Sequence, residues 1–166
     1  MSVRPIRPDD VPAAVALVRE LAEYERALHE VRLTEQQLTD RLFGDAPALF
    51  GHVAVADDGA AAGEVVGIAL WFLNFSTWRG THGIYLEDLY VAPQHRGSGL
   101  GKELLRTLAA LCVERGYSRL EWSVLDWNTP SIDFYKAAGA VPMDEWIVFR
   151  LTDEALSTFA DDRRTA

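Results

Sequence analysis

Arg96-Gly97-Ser98-Gly99-Leu100-Gly101 is the stretch that decides the fold, because of what lies on either side of it. The apolar and aromatic run Ile84–Val91 before it predicts a strand, and Lys102–Arg115 after it predicts a helix. Glycines at every second position let the backbone turn tightly and point successive N–H groups into one concavity. The positive end of the helix dipole adds to the same place. The loop is therefore predicted to hold a phosphate-bearing ligand.

Two nucleotide-binding patterns do not fit the spacing of this loop. A Walker A loop has four residues between its first glycine and Gly-Lys, whereas Gly97 and Gly101 enclose only three, and Glu103 follows Lys102 where Ser or Thr is needed. A dinucleotide fingerprint would need glycine at position 102. A glycine-rich turn without a ligand stays as the alternative.

Length and composition predict one soluble domain over residues 1–166, with a frayed tail at 161–166. The chain has 166 residues, of which 49% are hydrophobic and 25% charged. A single cysteine, Cys112, excludes an internal disulfide, and its place on an apolar helix side predicts a buried structural thiol. The four histidines are scattered without metal-ligand spacing, so no metal site is predicted.

The charge balance bears on the partners of the chain. A formal net charge of −9 argues against nucleic-acid binding and is compatible with a cationic substrate. Residues 1–10 contain no apolar stretch that could serve as a signal peptide, and nothing approaches the ~20 apolar residues of a membrane span. The expected location is the cytoplasm, without membrane contact.

The predicted fold class is α/β, with a mixed, mainly antiparallel sheet flanked by helices. The crossover around the glycine-loop helix implies one parallel strand pair. The predicted elements are, in order, strand Val3–Arg7, a helix capped by Asp9 and Asp10, a helix opened by the Thr34/Gln37 capping box and closed at Gly44, strands His52–Ala56, Glu64–Phe75 and His82–Val91, helix Leu100–Arg115, strand Arg119–Leu125, helix Thr129–Ala138, strand Glu145–Leu151 and helix Asp153–Phe159.

The order of elements and the R-x-x-G-x-G pattern at Arg96, Gly99 and Gly101 resemble the Gcn5-related N-acetyltransferase (GNAT) superfamily. The likeness runs from about Val3 to Leu151. Four further blocks resemble the spermidine/spermine (diamine) and thialysine N-acetyltransferases in particular: Leu21–Glu25, Tyr85–Val91, Asp126–Asn128 and Phe134–Ala140.

The resemblance implies acetyl-CoA as the donor, with its pyrophosphate on the loop amides and its pantetheine arm beside a strand that splays from its parallel neighbour. A main-chain N–H near Leu89 would polarise the thioester carbonyl. The cofactor-binding residues implied in this way are Leu89, Tyr90, Val91, Arg96, Gly97, Ser98, Gly99, Leu100, Gly101, Lys102, Asn128, Ser131 and Tyr135.

The resemblance also implies two catalytic residues. Tyr135 matches the general acid that protonates the sulfur of CoA, and Glu87 is the candidate base, acting through ordered water. Strand alternation predicts that only one of Glu87 and Asp88 faces the cleft, and Glu87 is preferred. The alternatives are a tyrosine that packs a helix face and a solvated strand glutamate.

The implied acceptor is a small cationic amine, either a polyamine or diamine or a thialysine-like amino acid. The substrate-binding candidates are Tyr24, Glu25, Glu87 and Glu145, with Asp144 beside the last of them. A lysine-like acceptor would also need an arginine for its carboxylate, such as Arg79. The family further implies a homodimer. A non-catalytic acetyl-CoA-binding regulatory module and an enzyme that acetylates a protein amine are the alternative functions.

Overall fold

The computed structural model describes residues 2–57 and 59–161, and the chain forms two compact units, residues 1–128 and 129–166. The single acetyltransferase domain expected over residues 1–166 stays a prediction. Of the expected frayed tail, only Asp161, the last residue of helix α5, belongs to the described part of the chain, and the rest lies outside it.

The first unit is built on a five-stranded mixed sheet, which confirms the predicted fold class. The strands follow one another in the order β1-β2-β3-β4-β5. The pairs from β1 to β4 are antiparallel, and β4 and β5 are parallel. The strands are β1 (Ser2–Pro5), β2 (Phe50–Val55), β3 (Val65–Ser76), β4 (Thr81–Val91) and β5 (Leu120–Glu121).

Helices cover both faces of this sheet, which explains why β3 is apolar almost throughout. Helices α1 (Val11–Tyr24) and α2 (Glu35–Phe43) bury Ile68, Leu70 and Tyr90 on one face. Helix α3 (Leu100–Arg115) packs on the sheet with buried leucines and Cys112, as the sequence predicted for that thiol. The glycine loop therefore lies at the end of the longest sheet strands, at the start of a helix anchored in the core.

Local signals in the sequence place the helix ends well. The Thr34/Gln37 capping box forms in both directions, with Thr34 Oγ1 accepting from Gln37 N at 3.2 Å and Gln37 Oε1 accepting from Thr34 N at 3.0 Å. Helix α3 has the predicted bounds and ends at Gly116, whose φ of 66° is left-handed. Asp10 differs from the expectation, because its carboxylate binds Arg4 at 2.6 and 2.8 Å and makes no cap bond to α1.

The parallel pair is shorter than the predicted strand Arg119–Leu125. Only Ile84 with Leu120 and Tyr85 with Glu121 are in register. A strand persists only where a neighbour takes up its N–H and C=O groups, and β5 pairs with no described residue of β4 beyond Tyr85. Residues 86–91 of β4 are therefore open on that side, which is the splayed arrangement that the family resemblance implies.

The second unit contains helices α4 (Thr129–Ala137) and α5 (Asp153–Asp161). The predicted strand Glu145–Leu151 is wrong for this structure, since these residues have no regular secondary structure and are exposed. Their sequence suits a strand, but the described residues of this unit include no other strand to pair with. Across residues 2–57 and 59–161, no helix combines the length and apolarity needed to cross a membrane.

Candidate active site

The glycine loop has the backbone that an anion site requires. Gly97 and Gly99 have φ values of 76° and 89°, in the left-handed region, and a Cβ on either would meet no atom within 4 Å. The glycines are therefore needed for their backbone conformation, and the space beside them is open. Gly99 caps α3, its carbonyl accepting from Glu103 N at 3.0 Å. The N–H groups of Leu100–Lys102 belong to the first turn, which has no carbonyl of its own helix to bond.

The backbone of β4 presents two more donors at its open edge. Ala92 N donates to Val66 O on β3 at 2.9 Å. In an antiparallel ladder only every second residue forms hydrogen bonds with the neighbouring strand. The N–H groups of Leu89 and Val91 therefore point away from β3, toward the edge of β4 where β5 no longer pairs. The carbonyl of Val91 on this side accepts from Arg96 Nε at 2.9 Å. The N–H of Leu89 thus has the orientation that the predicted carbonyl-polarising role requires.

A β-bulge decides which acid of β4 faces helix α1. Leu70 of β3 is in register with Asp88, and the next residue, Trp71, with Leu86, so Glu87 is the extra residue of the ladder. Without the bulge, Leu86 and Asp88 would share a face. With it, Asp88 lies on the α1 face opposite Leu70, and Glu87 is exposed. Simple alternation, from which only one of the two acids was expected to face the cleft, does not hold at this point of the strand. The preference for Glu87 as the base stays a prediction.

Asp88 and Glu25 form an acidic pair between β4 and the end of α1. Burial, reinforced by the negative charges of Glu87 and Glu25, raises the pKa of Asp88 to about 6. Burial also raises the pKa of Glu25. Two partly desolvated carboxylates that repel each other favour the binding of a cation. Its positive charge lowers their pKa values and so stabilises the ionised carboxylates.

Arg96 links the donor loop to the end of α1. Its guanidinium carbon lies 5.4 Å from the ring centre of Tyr24 and 5.1 Å from that of Tyr90, and its Nε holds the end of β4 as described above. Tyr24 in turn donates from its hydroxyl to Oδ1 of the buried Asn128 at 3.1 Å. Four of the predicted site residues, Arg96, Tyr24, Tyr90 and Asn128, are thus in one contiguous group.

The end of α1 adds one residue that the sequence did not single out, Arg26, which meets Trp127 of the Asp126–Asn128 block. Arg26 has a left-handed φ of 63°, and Ala27 N donates to Ala22 O at 2.8 Å, which closes the helix. The guanidinium of Arg26 lies 5.4 Å from the ring centre of Trp127. The ring centres of Trp127 and Tyr24 are 6.0 Å apart. Because such a turn is usually marked by glycine or asparagine, an arginine there gives no sequence signal.

Ser131, Tyr135 and Glu145 belong to the second unit. Ser131 and Tyr135 are half-buried residues of α4, and Glu145 lies in an exposed turn. Their predicted roles stay predictions. In the first unit, Lys102 is exposed on the first turn of α3, and Ser98 Oγ donates to His95 O.

Neither a metal nor a thiol suggests itself as the reactive group. Among the residues that the structure describes, no cluster of three or more His, Cys, Asp or Glu side chains could hold a metal ion. Burial raises the pKa of the Cys112 thiol, which disfavours the reactive thiolate.

Comparison with known proteins agrees with this geometry. The model of the acetyltransferase (GNAT) family matches residues 14–140. The chain belongs to the GNAT family. The match includes the whole of β4, the glycine loop and α3, and it identifies the chain as an acetyltransferase, as the sequence predicted.

Relatives within the GNAT family extend over nearly the whole chain. The thialysine N-epsilon-acetyltransferase of Bos taurus is 39% identical over 166 residues, covering 95% of this chain and 96% of the relative. The L-ornithine N5-acetyltransferase of Arabidopsis thaliana is 30% identical, covering 93% of this chain and 85% of the relative. An integron cassette protein of V. cholerae superposes with a TM-score of 0.77 at 24% identity, over 96% of each chain, and shows the shared fold.

Proposed function

We propose that this enzyme transfers the acetyl group of acetyl-CoA directly to a primary amine of a small cationic acceptor, a diamine or polyamine or a thialysine-like amino acid. One observation carries the proposal: β4 presents outward backbone donors at its open edge and a desolvated carboxylate, Asp88, on the face toward α1. The proposed binding sites for acetyl-CoA and for the acceptor thus share strand β4.

The donor half rests on the loop and the open edge of β4. The pyrophosphate of acetyl-CoA fits the amides from Gly97 to Lys102, since both left-handed glycines border open space and the helix dipole favours an anion. The N–H of Leu89 would bind the thioester oxygen, whose negative charge grows when the amine attacks. Tyr90 and Val91 would flank the pantetheine arm of acetyl-CoA.

The acceptor half rests on the acidic pair. An alkylammonium with a pKa near ~10.4 must lose a proton before it can attack a carbonyl carbon. Glu25 and Asp88 would hold a cationic group of the acceptor, and Glu87 keeps its proposed role as the base acting through water. When the tetrahedral intermediate collapses, the C–S bond breaks and the leaving thiolate takes a proton, for which Tyr135 is the proposed donor.

The names of the relatives agree with an acceptor of this kind. The relatives named above carry names that specify thialysine and L-ornithine as acceptors. Both compounds have a distal amine to be acetylated and a second amine that keeps its charge. Glu25 and Asp88 could bind the charged amine of such an amino acid in the same way as that of a diamine.

A CoA-release assay with thialysine, lysine, ornithine, putrescine and spermidine tests the proposal. We expect turnover of at least one of these acceptors, and Tyr135→Phe should lower kcat while leaving the affinity for CoA, measured by calorimetry, within about twofold. Binding of CoA without turnover of any acceptor would instead favour a regulatory module. Turnover of a protein amine alone would exclude the small-molecule acceptor.

Two further expectations accompany this proposal. A homodimer, implied by the family resemblance, would show twice the 18.5 kDa chain mass in light scattering after gel filtration. A cytoplasmic location would be tested by fractionation of the producing cells.

A further inference from the structure

Arg26 is a charged residue at a helix end where glycine is the usual choice. It occupies the left-handed position after α1 with a φ of 63°, where glycine would be less strained, and its side chain is exposed. No acidic side chain within residues 2–57 and 59–161 forms a salt bridge with it. An exposed arginine of this kind would ordinarily be free to move in solvent.

The ring of Trp127 lies beside the guanidinium. The distance of 5.4 Å to the ring centre is within the range of a cation–π contact. Trp127 is itself placed by the neighbouring Tyr24 ring at 6.0 Å, and Tyr24 by its hydrogen bond to Asn128. A guanidinium packed on a ring keeps the N–H groups at its edge available, in the fork that matches a carboxylate.

The acidic pair lies next to this guanidinium in the chain. Glu25 immediately precedes Arg26, and its negative charge helps to raise the pKa of Asp88. The end of α1 thus presents an acidic pair and, one residue later, a guanidinium packed on a ring.

We propose that Arg26 binds a carboxylate of the acceptor and thereby selects amino acids with a distal amine over diamines and polyamines. This inference rests on the proposed function and narrows its acceptor class. The ammonium groups would lie toward Glu25 and Asp88, and the carboxylate would pair with the guanidinium on Trp127.

Matched acceptor pairs isolate the contribution of the carboxylate. Ornithine and putrescine differ only in the α-carboxylate, as do lysine and cadaverine. We expect wild-type kcat/KM to be higher for the amino acid of each pair. Arg26→Gln should lower kcat/KM for the amino acids roughly 10- to 100-fold, the range for a lost charged hydrogen bond, and change it less than about twofold for the diamines. Arg26→Lys should retain part of the preference because it keeps the charge.

Two other arginine variants complete the design. Arg32→Gln removes an exposed arginine between α1 and α2 and should leave all four kcat/KM values unchanged. Arg79→Gln tests the rival carboxylate partner on the turn between β3 and β4. Thermal unfolding of each variant shows whether the fold is kept.

The inference is overturned if Arg26→Gln lowers kcat/KM equally for both members of a pair, or if only Arg79→Gln removes the preference. Equal wild-type activity on ornithine and putrescine would also overturn it, while the proposed function would stand. If no small amine is acetylated by the wild type, the proposed function fails and the inference fails with it.

Discussion

Asp88→Asn should make the protein more stable at neutral pH. The pKa of Asp88 rises from 3.8 to about 6 on folding, because burial and the charges of Glu87 and Glu25 disfavour the carboxylate. At ~1.36 kcal/mol per pKa unit, ionised Asp88 costs the folded state about 3 kcal/mol at pH 7.5. Asparagine removes the charge but still needs hydrogen bonds, so we expect a gain of about 1–3 kcal/mol in the free energy of unfolding.

The pH dependence gives the sharper test. A raised pKa in the folded state means that the contribution of Asp88 is fully favourable below pH 3.8 and is lost as the pH rises through about 6. The difference in unfolding free energy between Asp88→Asn and wild type should therefore grow between about pH 4 and 6.5 and stay constant above. Urea unfolding at half-unit pH intervals measures it.

Asp126→Asn is the matched control, because it makes the same chemical change at an exposed residue of the same unit. It should alter the unfolding free energy by less than about 0.5 kcal/mol at every pH. A difference between Asp88→Asn and wild type that does not change with pH, or a less stable Asp88→Asn at pH 7.5, would refute the assignment of a desolvated carboxylate. The stabilised variant should also show a KM for cationic acceptors raised about tenfold, since the acceptor loses one of its two charge partners.

Three other predictions concern the loop and the sheet. Gly99→Val forces a β-branched residue to a φ of 89° and should weaken CoA binding at least tenfold by calorimetry; near-normal affinity would exclude the loop as the donor site. Arg96→Ala removes the contacts with two tyrosine rings and one carbonyl and should weaken CoA binding only several-fold; complete loss would show that the guanidinium binds the donor directly. Gly83→Ala places a Cβ 2.6 Å from Asn74 Oδ1 and from Arg119 Cγ, so it should lower stability by about 1–3 kcal/mol in thermal unfolding, and an unchanged Tm would contradict this packing.

The sequence by itself determined the features that depend on a few neighbouring residues. The helical spacing of Leu100–Arg115, the Thr34/Gln37 capping box and the glycine loop are all readable locally, because helix and turn energetics act between residues at most four apart. These features were enough to predict the α/β class and an anion site at the start of α3 and, with the blocks quoted above, to identify the acetyltransferase family.

The tertiary structure alone decided which charges meet. The bulge at Glu87 depends on the register of β4 against β3, so no local pattern announces that Asp88 faces α1. The guanidinium of Arg26 lies over the ring of Trp127, a residue far along the chain. For the same reason the apolar residues 145–151 fit a strand in sequence and form none here, since a strand exists only with a partner. Long-range pairing is a property of the folded chain, and it places Asp88 on the α1 face and the Arg26 guanidinium over Trp127.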